Sequence, residues 1–365
     1  MRKNEAKWIE GRARWQINIQ HDGERRTFIS STIGKKGKIE AERKADKWIE
    51  NKQKKDVRFS ILWDMFLAEA KSTTSTSNYK KHEQVGRLWL CDLKHKRLST
   101  ITSQDLQNIL NRAYKKGLSK KSIMNIRASI TCVWKYAAKD KRPFERPFAL
   151  DIPKDAPTKE KNILQPDDFR TLFSQDKITI RKREVPCFFI HSWRFQVLTG
   201  MRPGEVAGLK KVDIKDNLLT IKRSINVYNE ITKGKNKNAQ RTMILTKHAV
   251  SVLADQESML KSHGIISPWI FPDTDGSAMD TRNSYEEWRK YRSQHGIASS
   301  LYELRHTMIS LTKSDIPKPL LQLIVGHSES MDTFGIYGHE VTGELDRAAS
   351  ILDGVFDNLL KKSTH

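Results

Sequence analysis

The sequence predicts an α+β fold that is mostly α-helical: a small sheet-and-helix domain, then a helical domain, then a mixed domain with a small antiparallel sheet. Three patterns lead to this prediction. Residues 14–19 alternate polar and apolar side chains, as a strand does. Residues 106–113 carry apolar side chains three and four apart, as a helix does. Residues 218–227 and 241–245 are strand-like on either side of a polar loop, which indicates an antiparallel pair.

The first predicted domain covers residues 1–55 and contains a hairpin and one helix. The hairpin turns at Asp22 and Gly23, and a basic helix is expected from Ile39 to Lys54. Lys and Arg are twice as frequent here as Asp and Glu. A segment this small cannot bury a large core, so we interpret it as an accessory DNA-binding module. A structural appendage is the alternative.

The second predicted domain covers residues 57–152 and is helical. Thr102 and Asp105 have the spacing of a capping box, and Gly117 marks the end of the helix that follows. The next helix has a basic face opposite an apolar face. The apolar face consists of Ile123, Ile126, Ile130, Val133, Trp134 and Ala137.

The third predicted domain covers residues 163–365 and follows a linker at 152–159 that is rich in Pro, Lys and Asp. Helices are expected after Gln165, through Phe188 to Leu198, and after Thr246, Asn283 and Leu301. The helix capped by Thr246 is expected to bury Val250, Leu253 and Leu260.

The net charge is the most informative feature of the composition. The chain of 365 residues carries 66 Lys and Arg against 43 Asp and Glu, a formal net charge of +23. An excess of this size indicates a polyanionic partner, because release of condensed counterions from phosphates drives binding. Since 37% of the residues are hydrophobic, the composition does not indicate disorder.

The cysteines and the apolar runs exclude other classes. Cys91, Cys132 and Cys187 lie far apart without a CxxC spacing, which argues against a disulfide framework or a structural zinc site. No apolar run approaches the roughly 20 residues of a membrane-spanning helix. The first residues are polar, unlike a signal core. We therefore expect a cytoplasmic protein without a membrane partner.

The segment LTGMRPGEV, residues 198–206, contains the first candidate phosphate ligand. Pro203 suits the first position of a helix and leaves Arg202 at its mouth, beside free backbone N–H groups. A guanidinium there is a planar, bidentate donor for phosphate. Glu205 is within reach to hold it. An ordinary surface pair of Arg202 and Glu205 is the alternative.

A lysine-rich loop between two predicted strands contains the second candidate. Lys233, Lys235 and Lys237 lie within the sequence TKGKNKN. Such a loop is commonly no more than solvated charge. A flexible ammonium at a hairpin tip can also reach a DNA groove and donate a proton.

The segment LYELRHT, residues 301–307, contains the third candidate. Leu301, Leu304 and Met308 share one helical face, so Arg305 begins beside the core. A partly buried arginine needs an anion, and a substrate phosphate serves as well as a carboxylate.

The fourth segment contains His327 and, ten residues later, Tyr337. Gly326 permits a sharp turn that directs His327 away from its apolar helix. Taken singly, a histidine and a tyrosine of this kind are more often packed structural residues.

Together, these four segments resemble the tyrosine recombinase family, which includes phage integrases and chromosome-dimer resolvases. That family shows T-G-x-R-x-x-E, a hairpin lysine, H-x-L-R-H, then G-H and a tyrosine nine or ten residues later. The order and spacing match from about Ile163 to Leu352. More weakly, residues 1–55 and 57–152 resemble the family's arm-binding and core-binding domains.

The resemblance implies a role for each matching residue. Tyr337 is the nucleophile that forms a 3′-phosphotyrosine intermediate, and Arg202 and Arg305 grip the scissile phosphate. His327 donates a further hydrogen bond, and Lys235 protonates the departing 5′ oxygen. Glu205 orients Arg202 from behind.

Two assignments need comment. Lys235 is preferred to Lys233 and Lys237 because its distance from Arg241, where the returning strand starts, best fits the family's hairpin. Tyr302 occupies the position where the family usually has histidine. A phenol with a pKa near 10 mostly donates a hydrogen bond at neutral pH, so we interpret Tyr302 as a hydrogen-bonding substitute rather than a general base.

The resemblance also implies the partners. We expect a site-specific recombinase that binds double-stranded attachment sites as a homotetramer and integrates or excises a prophage or another mobile element. Accessory DNA-bending or excision factors are further expected partners, and the bacterial nucleoid is the expected location. No cofactor or metal is expected, because cationic side chains take the role that metal ions have in two-metal nucleases. A topoisomerase-like relaxing activity is an expected side reaction.

Two other functions and one structural question stay open at this point. A DNA-binding regulator would keep the fold without the chemistry. A metal-dependent nuclease would use histidines from the set His191, His306, His327 and His339. Residues 341–360 form an amphipathic helix that either docks onto a neighbouring protomer or packs on its own domain.

Overall fold

The chain folds into two compact units, Met1–Lys159 and Glu160–His365. The computed structural model describes residues 4–21, 24–139, 142, 144, 149–158, 160–233, 240–326 and 343–361. Two separate apolar clusters lie in the first unit and one large cluster lies in the second. The change of unit falls at the end of the predicted linker, 152–159.

The elements are as follows. The first unit contains β1 (Lys7–Ile9), β2 (Arg14–His21), β3 (Glu24–Ser30), α1 (Lys35–Lys55), α2 (Phe59–Thr73), α3 (Thr76–Trp89), α4 (Ser103–Lys115) and α5 (Lys120–Lys139). The second contains α6 (Pro166–Ser174), β4 (Lys177–Ile180), β5 (Arg183–Pro186), α7 (Ile190–Thr199), α8 (Pro203–Ala207), β6 (Ile214–Lys215), β7 (Leu218–Ile221), β8 (Ser224–Ile225), β9 (Ile231–Thr232), β10 (Arg241–Ile244), α9 (Lys247–Ser262), α10 (Thr281–Gln294), α11 (Glu303–Thr312), α12 (Lys318–Val325) and α13 (Glu344–Leu360).

A three-stranded antiparallel sheet and one helix form the beginning of the first unit. The predicted hairpin is present as β2 and β3, and β1, which was not predicted, pairs with β2. Ile17 and Ile19 of β2 are buried with Ala41 and Ala45 of α1. The helix begins at Lys35, before the predicted start at Ile39. The prediction missed the first turn because that turn is polar and shows no apolar periodicity.

The helices α2–α5 form a second cluster in this unit. Thr102 caps α4 through the predicted capping box with Asp105, and Gly117 follows the helix with a φ of +75°. The six apolar side chains predicted to line one face of α5 are all buried. The apolar periodicity therefore predicted this part correctly.

The second unit is organised around α7, whose side chains are almost all buried. β10 pairs with β7 in an antiparallel register, Arg241 opposite Ile221, as the strand patterns predicted. The prediction of one strand over 218–227 is wrong. The chain leaves the sheet after β7, and β8 pairs with β9 instead and lies against α8. The Cβ position of Gly204 lies only 2.4 Å from the carbonyl oxygen of Ile225.

The prediction that α9 buries Val250 is wrong. Val250 is 36% exposed, and the buried face of α9 consists of Ala249, Val252, Gln256 and Leu260.

The hairpin β4–β5 was not predicted, because its turn residues, Arg181 and Lys182, carry no turn signal. Both adopt the left-handed conformation, with φ of +50° and +65°, that normally favours Gly or Asn.

The helix α13 packs within its own unit. Leu345, Ala348, Leu352 and Phe356 are buried, and Phe356 stacks on Phe169 of α6 at 6.0 Å between ring centroids. Of the two alternatives for the amphipathic C-terminal segment, the structure has packing on its own domain. Within the described ranges, no helix has the length and apolar character needed to cross a membrane.

Candidate active site

Arg202 lies at the mouth of α8, as its position before Pro203 predicts. Its backbone N–H donates to Glu205 Oε2 at 3.0 Å, and its Nη1 donates to Glu205 Oε1 at 2.6 Å. The guanidinium is held on one side by the carboxylate and is 23% exposed. The sequence prediction that Glu205 is within reach of Arg202 is therefore confirmed.

The turn before Arg202 brings α7 close to α11 and α12. Gly200 ends α7 with a φ of +65°. A Cβ there would lie 3.1 Å from Met308 Sδ of α11 and 3.2 Å from Val325 Cγ1 of α12. Glycine is thus favoured by both the backbone conformation and the packing.

The end of α12 lies beside Arg202. Gly326 ends this helix in the left-handed conformation, with a φ of +65°, which confirms the predicted turn. Its carbonyl oxygen accepts a hydrogen bond from Arg202 Nη2 at 3.3 Å. His327 is the next residue in the chain.

Glu205 is buried between two guanidinium groups. Arg241, the first residue of β10, donates from Nη2 to Glu205 Oε2 at 3.0 Å. Burial opposes the charged form of Glu205, but Arg241 and Arg202 outweigh it, so the pKa of this carboxyl lies below its ordinary value. Glu205 is therefore an anion at neutral pH.

Arg305 is the most deeply buried cation of the site. It is 1% exposed, and its neighbours in the sequence, Leu304 and Met308, are fully buried, as predicted. Nη1 donates to the carbonyl oxygen of Gly200 at 2.8 Å. Nη2 is buried and has no hydrogen-bond partner among the residues that the structure describes. Burial and the charge of Arg202 lower the pKa of Arg305 to about 10, which still leaves it charged at pH 7.

Tyr302 lies one helical turn from the buried arginine, at the start of α11. It is 48% exposed, and its ring contacts the ring of His306 at 5.5 Å between centroids. Burial, Lys161 and Arg305 lower the pKa of His306. Tyr302 precedes Arg305 by only three residues, at the same end of α11.

The described part of this region has an excess of positive charge. It contains three guanidinium groups, those of Arg202, Arg241 and Arg305, and one carboxylate, that of Glu205, which pairs with Arg202 and Arg241. The open N–H of Arg305 and the exposed part of Arg202 are donors that a phosphate group can occupy. The arrangement is therefore suited to binding an anion and stabilising negative charge.

The other predicted site residues lie outside the described residues. They are Lys235, with its neighbour Lys237, and the pair His327 and Tyr337. Lys233 is described: it follows β9 and is exposed. The structure thus brings together Arg202, Glu205 and Arg305, with Tyr302 nearby.

A family model places this arrangement among known proteins. Residues 162–343 match the phage integrase family, and they include the whole arginine cluster. The chain belongs to the phage integrase family. It is a site-specific DNA recombinase of the tyrosine type.

Two characterised relatives resemble the recombinase over most of its length. A tyrosine recombinase XerC-like protein of Caldanaerobacter subterraneus subsp. tengcongensis is 22% identical, covering 88% of this chain and 90% of the relative. The ICEBs1 integrase of Bacillus subtilis is also 22% identical, covering 83% and 84%.

Solved structures share the fold of the recombinase. The Tn1549 transposon integrase in complex with transposon right end DNA has a TM-score of 0.60 at 20% identity, covering 79% of this chain and 98% of that one. The lambda integrase tetramer bound to a Holliday junction has a TM-score of 0.62 at 13% identity, covering 90% and 96%. These similarities support the mostly helical α+β fold class.

The metal-nuclease alternative finds no support in the described part of the recombinase. No group of three or more His, Cys, Asp or Glu side chains is arranged there to hold a metal ion. His191 and His306 are described and belong to no such group, whereas His327 and His339 lie outside the described residues.

The role of Arg241 in this site was not predicted from the sequence, where Arg241 was identified only as the start of a strand. The available signal was the alternation of β10, in which Arg241 occupies the same inward position as Met243, where an apolar residue is expected. A charged residue at such a position indicates a buried counter-ion.

Replacement of Glu205 by Gln is expected to lower the free energy of unfolding by about 3–5 kcal/mol at neutral pH, because buried guanidinium groups lose their counter-charge. The pKa of Glu205 is lower in the folded protein, so its contribution is present above its unfolded pKa and is lost as pH falls through the folded pKa. Urea titrations at a series of pH values test this: the gap between wild type and variant should narrow in acid.

The matched control is Glu286, which pairs with Arg289 at the same three-residue spacing but on the surface. Replacement of Glu286 by Gln should change the free energy of unfolding by about 0–1 kcal/mol. The prediction for Glu205 would be contradicted if its variant differed from the wild type in free energy of unfolding by an equally small amount. A difference that does not change with pH would also contradict it.

Proposed function

We propose that this recombinase breaks and rejoins DNA by attack of the Tyr337 phenol on a backbone phosphate. The observation that carries the proposal is the buried guanidinium of Arg305, whose Nη2 has no partner among the described residues. A buried N–H that is left unpaired costs free energy, which a bound phosphate oxygen would recover. Arg202 lies beside it, with its other side fixed by Glu205.

The reaction that we propose conserves the phosphodiester bond energy. The phenol of Tyr337 loses its proton as its oxygen attacks phosphorus, the bond from phosphorus to the 5′ oxygen breaks, and that oxygen takes up a proton. The products are a 3′-phosphotyrosine and a free 5′ hydroxyl. Attack by another 5′ hydroxyl reverses the step, so joining needs no ATP.

The arginine cluster supplies the electrostatic part of catalysis. Negative charge increases on the phosphate oxygens in the transition state, and preorganised donors aimed at those oxygens are typically worth about 3 kcal/mol each. Arg305 is fixed by Gly200 and by complete burial, and Arg202 by Glu205 and Gly326. Neither guanidinium has to be reorganised when the charge develops.

His327 and a lysine complete the proposed set. Arg202 holds the carbonyl of Gly326, the residue that precedes His327, which supports a position of His327 beside the same phosphate. We assign to His327 a hydrogen bond to a phosphate oxygen and to Lys235 the protonation of the 5′ oxygen. Lys235 precedes Arg241 by six residues, and Arg241 is bonded to the same carboxylate as Arg202.

The central test is a covalent trap. A duplex with the core sequence from an end of the element, nicked next to the cleavage site, should give a protein–DNA adduct that survives denaturation. Replacement of Tyr337 by Phe should abolish the adduct while changing DNA affinity by less than about threefold, because only the nucleophilic oxygen is removed. An undiminished adduct in the Tyr337 variant would contradict the assignment, and cleavage without an adduct would favour hydrolysis.

Tyr302 is proposed to donate a hydrogen bond to the same phosphate. Replacement by Phe should slow single-turnover cleavage about tenfold, since one donor is lost. Replacement by His should retain activity and add a dependence on pH near 6.5, where an imidazole titrates. The measurement is the rate of adduct formation against pH. Equal rates for wild type and the Phe variant would remove Tyr302 from the site.

We further propose that the chain binds DNA through three domains, with residues 1–55 on arm-type sites, 57–152 on core sites, and 163–365 carrying the chemistry. The outer face of the first sheet supports the arm assignment. In β2, polar side chains alternate with buried Ile17 and Ile19. This outer face carries Lys7, Arg14, Gln16, Asn18, Gln20, Arg25 and Thr27. Amides and cations of this kind suit groove edges and phosphates.

The arm assignment is tested in the full chain by replacing Lys7, Arg14 and Arg25 with Gln. Affinity for DNA with arm-type sites should fall. The slope of the logarithm of the binding constant against the logarithm of the salt concentration should become less negative by about 0.9 for each phosphate contact removed. Adduct formation on core DNA alone should not change. The control replaces the exposed Lys35 and Lys36 of α1 with Gln. Equal losses in both variants would indicate that overall charge matters rather than this face.

The biological setting follows from the same proposal. The recombinase acts as a homotetramer on paired attachment sites of a prophage or another mobile element, in the bacterial cytoplasm at the nucleoid. Accessory DNA-bending or excision factors assist it. The lambda integrase tetramer on a Holliday junction, which shares the fold, supports the assembly. Light scattering of the protein on a four-way junction would show four copies, and a persistent dimer would contradict it.

A further inference from the structure

Arg241 is a buried charged residue at a position where the strand pattern calls for an apolar one. Its side chain is 3% exposed, and the inward-facing residue two positions on, Met243, is 2% exposed. Burying a guanidinium is costly unless its N–H groups are paired. The hydrogen bonds of the Arg241 side chain therefore indicate which groups it positions.

Two bonds between Arg241 and described residues reach separate segments of the site. Nη2 donates to Glu205 Oε2 at 3.0 Å, the same oxygen that accepts the backbone N–H of Arg202. Nε donates to the carbonyl oxygen of Ile324 at 2.6 Å, in the last turn of α12. Carbonyls in the last turn of a helix have no partner within the helix, so Arg241 also completes the end of α12.

We propose that Arg241 is a positioning residue, which fixes Arg202, the end of α12 before His327, and the strand that follows the lysine loop in one arrangement. It acts through Glu205 and Ile324 and does not contact DNA. The role rests on the proposed cleavage reaction, because it concerns the placement of the residues assigned to that reaction.

The same contacts give Arg241 an electrostatic effect on the site. With Arg241, three guanidinium groups face one carboxylate and the cluster has an excess of two positive charges. Replacement by Met would reduce the excess to one and would leave Glu205 with a single direct ion-pair partner, Arg202. Among the described residues, the charged groups that act on Glu205 are Arg202 before α8, Arg241 of β10 and Arg305 of α11. Loss of Arg241 would let Glu205 take up a proton at higher pH, which would release Arg202.

The test is single-turnover adduct formation on the nicked duplex at saturating protein, measured against pH. Replacement of Arg241 by Met should slow cleavage about 100-fold, because misplaced donors lose most of their effect on the transition state. The acid limb of the rate should move to higher pH. Replacement by Lys keeps the positive charge but loses the planar guanidinium that donates to two partners at once. It should return the acid limb to its wild-type position and restore only part of the rate.

Arg223 provides the matched control. It also joins a buried carboxylate, Asp213, to a carbonyl at a helix end, that of Gly208 at 3.1 Å, but it contacts neither Glu205 nor α12 in the described bonds. Replacement of Arg223 by Met should lower stability without moving the acid limb. The same limb shift in both variants would overturn the positioning role.

A double-variant cycle protects the test against simple unfolding. Replacing Glu205 by Gln together with Arg241 by Met removes both members of this buried ion pair, so neither is left buried without the other. If Arg241 acts mainly through Glu205, the double variant should cleave within about threefold of the Glu205 variant alone. Fully additive losses would overturn the proposal, as would an Arg241 variant with the wild-type rate and pH profile.

The wild-type protein distinguishes this inference from the proposed chemistry. A wild-type adduct that vanishes in the Tyr337 variant but persists unchanged in the Arg241 variant would overturn the positioning role alone. Failure of the wild type to form any adduct on its own core sequence would overturn both, since the role has no meaning without cleavage.

Discussion

The ion pairs of Glu205 are the interactions on which the rest of the site depends. A guanidinium taken out of water loses several kcal/mol of hydration, and one buried carboxylate compensates both Arg202 and Arg241. These two arginines come from α8 and β10, elements that are not adjacent in the sequence. Without the carboxylate, β10 could not bury its first side chain, and the cation at the mouth of α8 would lose its fixed direction.

This carboxylate leaves the cluster incompletely neutralised. Glu205 uses its two oxygens on Arg202 and Arg241, and the bond described for Arg305 runs from Nη1 to a carbonyl oxygen. Its Nη2 is buried and has no partner among the described residues. Folded proteins rarely keep such a group unless a ligand or reaction uses it. The free energy withheld from folding at this position would be available to a bound anion, which would connect the stability of the domain to its affinity for that ligand.

The sequence predicted the local parts of the structure and less of what depends on packing between distant segments. The capping box of α4, the apolar face of α5 and the pairing of β7 with β10 follow from periodicity and turn chemistry within a few residues. The contact of Arg202 with Glu205 was predictable because the two are only three residues apart at the start of α8. Arg305 was predictable as a residue beside the core, although its complete burial was not.

The failures have a common physical origin. The break after β7 depends on the approach of β8 to Gly204, a contact between distant backbones that leaves no pattern in either segment. Arg181 and Lys182 adopt a turn without the residues that normally signal it. Val250 was placed on the wrong face of α9, since alanine and glutamine contribute to the buried face and weaken the apolar period. Arg241 was missed because its partners are 36 and 83 residues away in the chain.

The close packing at Gly200 has a consequence for control of the enzyme. This residue touches α11 and α12 and accepts a hydrogen bond from Arg305, and Arg202 follows only two residues later. The two cations that are proposed to bind phosphate are therefore joined through a single peptide segment. A partner molecule that displaced α11 would displace Arg202 and Arg305 together. Inhibition by this displacement would therefore be all-or-none within each subunit. In the proposed homotetramer, graded output would then reflect the number of subunits switched rather than partly active ones.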